Sequence, residues 1–267
     1  MCKERPSMYA SQRRNEIYKL AQERQFISVA ELSAIYKVSE VTIRSDLKLL
    51  ERQGKLQKNY GGAAINKDVL QPLSHNVHLL SDAKASIAHK AADLIEEGDS
   101  LFLDASSTTI LLADYIAKMN NITVITNSIP IFDKLKEYHN GTLISISGTL
   151  NPYSQSFVGP FAEEMISKIR VSKAFIAPKG ILPEGLRDNI VQEAAIRKKM
   201  IESAEKVIVL ADHSKFNNED FVFSISNFDK VHRLVTDQTP KEPFFNLFLQ
   251  KGIEVWIADQ KTAGDDR

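Results

Sequence analysis

Apolar positions follow two different patterns along the chain. In the first quarter they recur three and four residues apart, the period of short helices buried on one side. Ile17, Leu20 and Ala21 form the apolar side of a helix capped by Ser11 and ending near Arg24. Ser28-Val-Ala-Glu31 has the Ser and Glu spacing of a capping box and opens a second helix carrying Leu32, Ile35 and Tyr36. Lys37-Val38 turns the chain, Ser39 caps again, and a third helix runs over 40–53 with Gly54 at its C-terminal end. Ile43, Leu47 and Leu50 make one buried stripe of that helix, and Thr42, Arg44, Ser45 and Lys48 point elsewhere. Lys55, Lys58 and Tyr60 follow on a two-stranded wing closed by Gly61-Gly62.

Beyond residue 83 the pattern changes to short β-rich apolar runs separated by amphipathic helices. The runs are 100–104, 123–126, 143–147, 174–177, 207–211, 231–236 and 252–257, with helices over 84–97, 108–119, 189–203 and 243–251. Such alternation predicts an α/β domain with a largely parallel sheet. Residues 66–82 have neither period and contain Pro72, as a connector would. The expected organisation is therefore a small helical domain with a wing over 1–65, a linker over 66–82, an α/β domain over 83–260, and a flexible tail over 261–267.

Charge adds an asymmetry. Lys plus Arg and Asp plus Glu both total 34, so the formal net charge is zero. Up to Asn66, however, twelve basic residues face seven acidic ones, and the remainder carries the compensating negative excess. A basic first quarter suits a nucleic-acid-binding arm. Cys2 is the one cysteine, which excludes an intramolecular disulfide and a cysteine zinc site. No apolar run resembles a signal peptide or approaches a membrane span, so a cytoplasmic protein is expected. Only His75 and His78 among the six histidines have ligand-like spacing, and they lack acidic or cysteine partners, so neither a metal nor a cofactor is expected.

Two short helices joined by a tight turn, the second presenting cations and hydroxyls, form a helix-turn-helix. The candidate DNA contacts are Ser39, Thr42, Arg44, Ser45 and Lys48 on that helix and Lys55, Lys58 and Tyr60 on the wing. Arg pairs with guanine and Thr touches thymine methyls in the major groove, while wing cations meet phosphates. A three-helix bundle used for protein contacts has the same period. The run Val38-Ser-Glu-Val-Thr-Ile-Arg-Ser-Asp-Leu47, with Val29-Ala-Glu-Leu32 before it and Tyr60-Gly-Gly-Ala63 after it, resembles the DeoR family of bacterial transcription regulators. Ser45 stands where that family usually has Arg, and Tyr60 where it usually has His.

In the second domain Asp104-Ala-Ser-Ser-Thr-Thr109 joins a strand end to a helix start, where free backbone N–H groups and hydroxyls favour an anion. Plain N-capping explains the same residues. Asn127-Ser128, Ser147-Gly148, Lys179-Gly180 and Asp212 to Phe216 follow successive strands, at the edge where open α/β sheets bind ligands. With Lys84, Gly98-Asp99, Ser156-x-x-Gly159, Gly185-Leu186, Glu193 and Thr236-Asp237, these pieces resemble the DeoR-type sensor domain. That resemblance implies a fold related to sugar-phosphate isomerases and coenzyme A transferases, and a phosphorylated sugar as effector. It implies that Ser106, Ser107, Thr108, Thr109 and Lys215 hold the phosphate and that Asp104, Asn127 and Glu193 meet sugar hydroxyls, with Ser128, Gly148 and Lys179 also lining the pocket. Ser147, Ser172 and Pro178-Lys179 depart from the family pattern.

The function expected is a homo-oligomeric repressor of a carbohydrate-utilisation operon, a dimer or tetramer that binds double-stranded operator DNA and is relieved by a phosphorylated sugar. The alternative is an isomerase-like enzyme with Asp104 or Glu193 as its base.

Overall fold

The computed structural model describes residues 10–24, 26–52, 56–59, 61–65, 81–217 and 221–258. The chain divides into two compact units, Met1–Leu70 and Gln71–Arg267. Gly54, Lys55, Tyr60, most of the expected linker with His75 and His78, and the tail lie outside the described residues.

The first unit is built from α1 (Ala10–Arg24), β1 (Phe26–Ser28), α2 (Val29–Tyr36), α3 (Glu40–Arg52), β2 (Leu56–Asn59) and β3 (Gly62–Ile65). Ser28 caps α2, its Oγ accepting from Glu31 N at 3.1 Å. Lys37 leaves the helix in the left-handed region at φ 53°, a conformation that costs a residue with a Cβ about 1–2 kcal/mol. Ser33 Oγ donates across that turn to the Val38 carbonyl at 2.6 Å. Ile17, Ala21, Leu32, Ile43, Leu47 and Leu50 close the core, joined by Ile27, Leu56 and Ala63 from the strands. Each such aliphatic side chain contributes about 1.5–3 kcal/mol on full burial.

The details differ from the sequence reading in four places. Helix α1 is already under way at Ala10, so Ser11 lies inside it and is not its cap. Ile35 is 47% exposed, because the short α2 buries only Val29 and Leu32. The wing has three strands in the order β1-β3-β2, because Phe26–Ser28 pairs with Gly62–Ala64. Gly61, at φ +83°, makes the turn, whereas Gly62 belongs to a strand. Asp46 is buried on α3 and accepts from Arg13 Nε at 2.7 Å, fastening α1 to α3.

The second unit contains a seven-stranded, wholly parallel sheet. In chain order its elements are α4 (Ser81–Ala92), β4 (Ser100–Leu103), α5 (Ser107–Ile116), β5 (Thr123–Thr126), α6 (Ile129–Leu135), β6 (Thr142–Ser145), β7 (Thr149–Asn151), β8 (Ser156–Val158), α7 (Pro160–Ser167), β9 (Val171–Ile176), β10 (Gly180–Leu182), β11 (Gly185–Asp188), α8 (Val191–Glu202), β12 (Ala204–Leu210), β13 (Phe223–Ser226), β14 (Arg233–Thr236), α9 (Phe244–Gln250) and β15 (Glu254–Ile257). The sheet runs β15-β14-β12-β9-β4-β5-β6. Successive strand residues face opposite layers. Leu101, Leu103, Phe175, Ile208 and Leu210 pack with α4, α5 and α6, while Phe102, Ala174, Ile176, Val207 and Val209 pack with α7, α8 and α9.

Two features sharpen the expected outline. Ser81 and Asp82, assigned to the linker from sequence, are the first turn of α4, and that helix stops at Ala92 instead of continuing to residue 97. The hairpin β7-β8 and the antiparallel sheet β10-β11-β13 had no separate signal, being only three or four residues per strand. The strand order reverses between β4 and β9: the chain moves outward to β6, then returns to the other side of β4. A crevice opens at the carboxyl ends of two strands at such a reversal.

Candidate nucleic-acid interface and ligand pocket

Helix α3 presents Arg44, Ser45 and Lys48 to solvent, opposite Ile43, Asp46, Leu47 and Leu50. Glu40 accepts from the Arg44 guanidinium at 3.1 Å, one turn back, and so restrains its direction. Ser39 and Thr42 serve the helix start: Ser39 Oγ accepts from Thr42 N at 3.2 Å, and the two hydroxyls bond each other at 2.9 Å. The backbone of Lys58 lies in β2, while its side chain, with Lys55 and Tyr60, falls outside the described residues.

The candidate ligand site lies at the strand-order reversal. Asp104, directly after β4, is 1% exposed, and its Oδ2 accepts from Ala177 N at 3.0 Å, directly after β9. The same oxygen accepts from Arg197 Nε at 2.6 Å. Arg197 also donates to Asp188 at 2.5 Å and lies 3.6 Å from Glu193. Glu193 Oε1 accepts from the hydroxyls of Ser154 and Ser156, each at 2.5 Å. One guanidinium thus gathers three buried carboxylates delivered by β4, β11 and α8. Burial works against its charge, but Asp188, Asp104 and Glu193 hold its pKa above the ordinary value.

Cations line the same edge. Lys84, in the first turn of α4, is 4% exposed, and burial pushes its pKa down to about 8. Lys215 and Lys179 push it the same way, while Asp212 opposes them. Lys179 is half-buried, and its pKa is lowered by burial and by Arg197 and Lys215, against Asp188 and Glu193. Lys215 sits in a single 3-10 turn, His213–Lys215, after β12, with Nζ 3.7 Å from Asp212 Oδ2. The charge of Lys84 and of Lys179 is disfavoured by burial and by the nearby Lys215, and an anion bound beside them would favour it.

The other residues singled out from sequence divide into two groups. Ser106 and Thr109 form a reciprocal cap on α5, and Thr109 Oγ1 donates to the Asp104 carbonyl at 2.6 Å, so their hydroxyls have structural partners. Ser107 and Thr108 stand in the first turn of that helix and are buried. Ser128 caps α6, its Oγ accepting from Ile131 N at 3.4 Å. Asn127 donates through Nδ2 to the Phe157 carbonyl at 3.0 Å, and its buried Oδ1 has no partner among the described residues. Gly148 is a packing residue: a Cβ there would meet the Val158 carbonyl oxygen at 2.7 Å and Ala162 at 3.0 Å. Ser172 is remote in role, its hydroxyl donating to Asp99 at 2.7 Å beside the start of β9.

Sequence reasoning missed Asp188 and Arg197 and did not assign Lys84 to the site. A signal existed for two of them. Lys84 shares a stripe with Ile87, Ala88 and Ala91, and Arg197 shares one with Ala194, Met200 and Ile201. A charge on an apolar stripe requires a buried partner.

The residues matched by known family models follow these two units. The DeoR-like helix-turn-helix domain matches residues 13–69, and the DeoR C-terminal sensor domain matches residues 80–238. The HTH-type transcriptional regulator IolR of Bacillus subtilis strain 168 is 35% identical over 87% of this chain and 93% of its own length. The lactose phosphotransferase system repressor of Streptococcus mutans is 34% identical over 86% of this chain and 93% of its own. Ribose 5-phosphate isomerase A of Neisseria gonorrhoeae overlaps 50% of this chain and 52% of its own at 15% identity and a TM-score of 0.37. With both family models in order along one chain and relatives alike over most of their length, the chain belongs to the DeoR family of transcription regulators.

Proposed function

We propose that this regulator represses a carbohydrate-utilisation operon and releases its operator when a phosphorylated sugar enters the pocket at the β4–β9 reversal. The observation that carries the reading is that Lys84, Lys179 and Lys215 lie within electrostatic reach of one another and of the carboxylates gathered by Arg197. The lysines suit a phosphate, and the carboxylates, with the unpartnered Asn127 Oδ1, suit hydroxyl groups. A homo-oligomer, dimer or tetramer, sets two α3 helices on two half-sites of double-stranded DNA. The effector acts by binding more tightly to the arrangement with low operator affinity.

The same geometry supports binding without turnover. The two carboxylates that could abstract a proton, Asp104 and Glu193, already hold Arg197, a backbone N–H and serine hydroxyls. No residue is assigned a catalytic role.

The test is a gel-shift titration of the full chain on DNA flanking its gene, at several salt concentrations, with a panel of sugar phosphates. Binding that weakens steeply with salt and is released by one phosphosugar is the expected result. Specific binding that no phosphosugar changes would overturn the sensor assignment, and steady isomerisation of a phosphosugar would overturn the non-enzymatic reading.

A further inference from the structure

The outward face of α3 carries one residue that neither packing nor charge accounts for. Val41, the second residue of the helix, is 77% exposed. Ile43, Leu47 and Leu50 on the same helix are at most 1% exposed. A β-branched side chain on a solvated helix face adds no packing and lowers helix propensity. Isolated exposed aliphatics are common on protein surfaces, so exposure alone decides nothing. Position does. Residues 41, 44, 45 and 48 follow the i, i+3, i+4, i+7 spacing of a single face, and all four are exposed. That face therefore reads, from the helix start, as an isopropyl group, a guanidinium, a hydroxyl and an ammonium.

We infer that Val41 is a base-reading residue that packs against the C5-methyl group of a thymine, one turn from the base edge met by Arg44. This rests on the assignment of α3 as the helix that enters the major groove. In that geometry the N-terminal residues of the recognition helix lie nearest the base edges. The thymine methyl is the one apolar group displayed in the major groove, and aliphatic side chains pair with it. Lys48, farther along the same face, complements a phosphate, whereas a protein partner would need a larger apolar surface than one valine. Glu40 accepts from the Arg44 guanidinium at 3.1 Å. Ser45, on the same face, has a short side chain. The short Val41 can then approach a base without a competing neighbour.

The test uses the full-length protein and duplexes selected from a randomised pool. Each thymine of a selected duplex is replaced in turn by uracil, which removes only the methyl group. At one or two thymines in each half-site, the replacement should weaken binding about fourfold, roughly what burying one methyl group contributes. Val41→Ser should bind the thymine and uracil duplexes equally at those positions, and Val41→Thr, which keeps a γ-methyl, should retain the discrimination. Thermal unfolding of each variant checks that the exposed substitution leaves the fold intact. Equal binding of thymine and uracil duplexes by the unaltered protein at every position would overturn the proposal. So would discrimination that survives in Val41→Ser. Failure to select any duplex is a different outcome, and it would overturn the assignment of α3 on which the proposal rests.

Discussion

Helices α3 and α8 are almost the same length and invert each other's use of charge. On α3 the aliphatic residues turn inward and the cations Arg44 and Lys48 turn out; one buried carboxylate, Asp46, ties the helix to Arg13. On α8 the stripe that turns inward contains Glu193 and Arg197 among Ala194, Ile196, Met200 and Ile201. A helix that reads DNA needs its polar groups where the polymer can reach them, so function and amphipathic pattern agree. A helix that builds a pocket must carry its polar groups into the protein, where each needs a partner from another element. The first arrangement is stable without its ligand. The second is held by an ion cluster whose members come from three separate elements.

The strongest way to break the comparison is to remove the cation from the buried cluster. Arg197→Met leaves Asp104, Asp188 and Glu193 buried without a counter-charge, and should lower the stability of the sensor unit by about 3–5 kcal/mol in urea unfolding. A loss under about 1 kcal/mol would mean that solvent reaches the cluster. The corresponding charge on α3 behaves differently. Arg44→Ala should leave the unfolding midpoint within about 0.5 kcal/mol, as an exposed pair predicts, yet weaken operator binding by about 1–3 kcal/mol in a gel shift.

The lysine rim gives a third contrast. Lys215→Ala should weaken effector binding about tenfold to a hundredfold by calorimetry while operator affinity without effector stays the same. An unaltered effector response would place the phosphate elsewhere. The smallest effect comes from pH. Lys84 titrates near 8 in the empty pocket, and a bound phosphate would raise that value by stabilising the ammonium. Effector affinity should therefore be flat from about pH 7 to 8 and fall by up to about tenfold per unit above 8, as the empty pocket loses the proton that the complex keeps. Stability without ligand should move the other way. The folded pKa of Lys84 lies below its unfolded value, so the unfolded chain binds more protons between about 8 and 10.5, and stability rises with pH across that window. Calorimetric titrations and thermal melts at pH 7, 8 and 9 measure both slopes.

How much was legible in advance follows the same division. The three-four spacing of Ile43, Leu47 and Leu50 located α3 and its exposed residues, because one helix carries the whole pattern. The strands of the parallel sheet were visible as β-rich runs, and the residues singled out after them do fall at its carboxyl edge. Strand order was not visible, since nothing local in β9 says that it pairs with β4 rather than β6. The Arg197 cluster was hidden for that reason: Asp104 and Arg197 meet only once the order is set. Ser106 and Thr109 show the opposite limit. Their hydroxyl run fits both ligand chemistry and plain N-capping, and the helix start they cap uses both of them.

The reversal of strand order also imposes a schedule on synthesis. Asp104 waits for Arg197, 93 residues later, and for Ala177, 73 residues later. At a translation rate of about 5–20 residues per second, Asp104 emerges roughly 5–20 seconds before Arg197. The helix-turn-helix, whose core cluster and strand pairs lie within the first 65 residues, has left the ribosome well before then. A nascent chain is thus equipped to meet DNA before it is able to hear the signal that releases it.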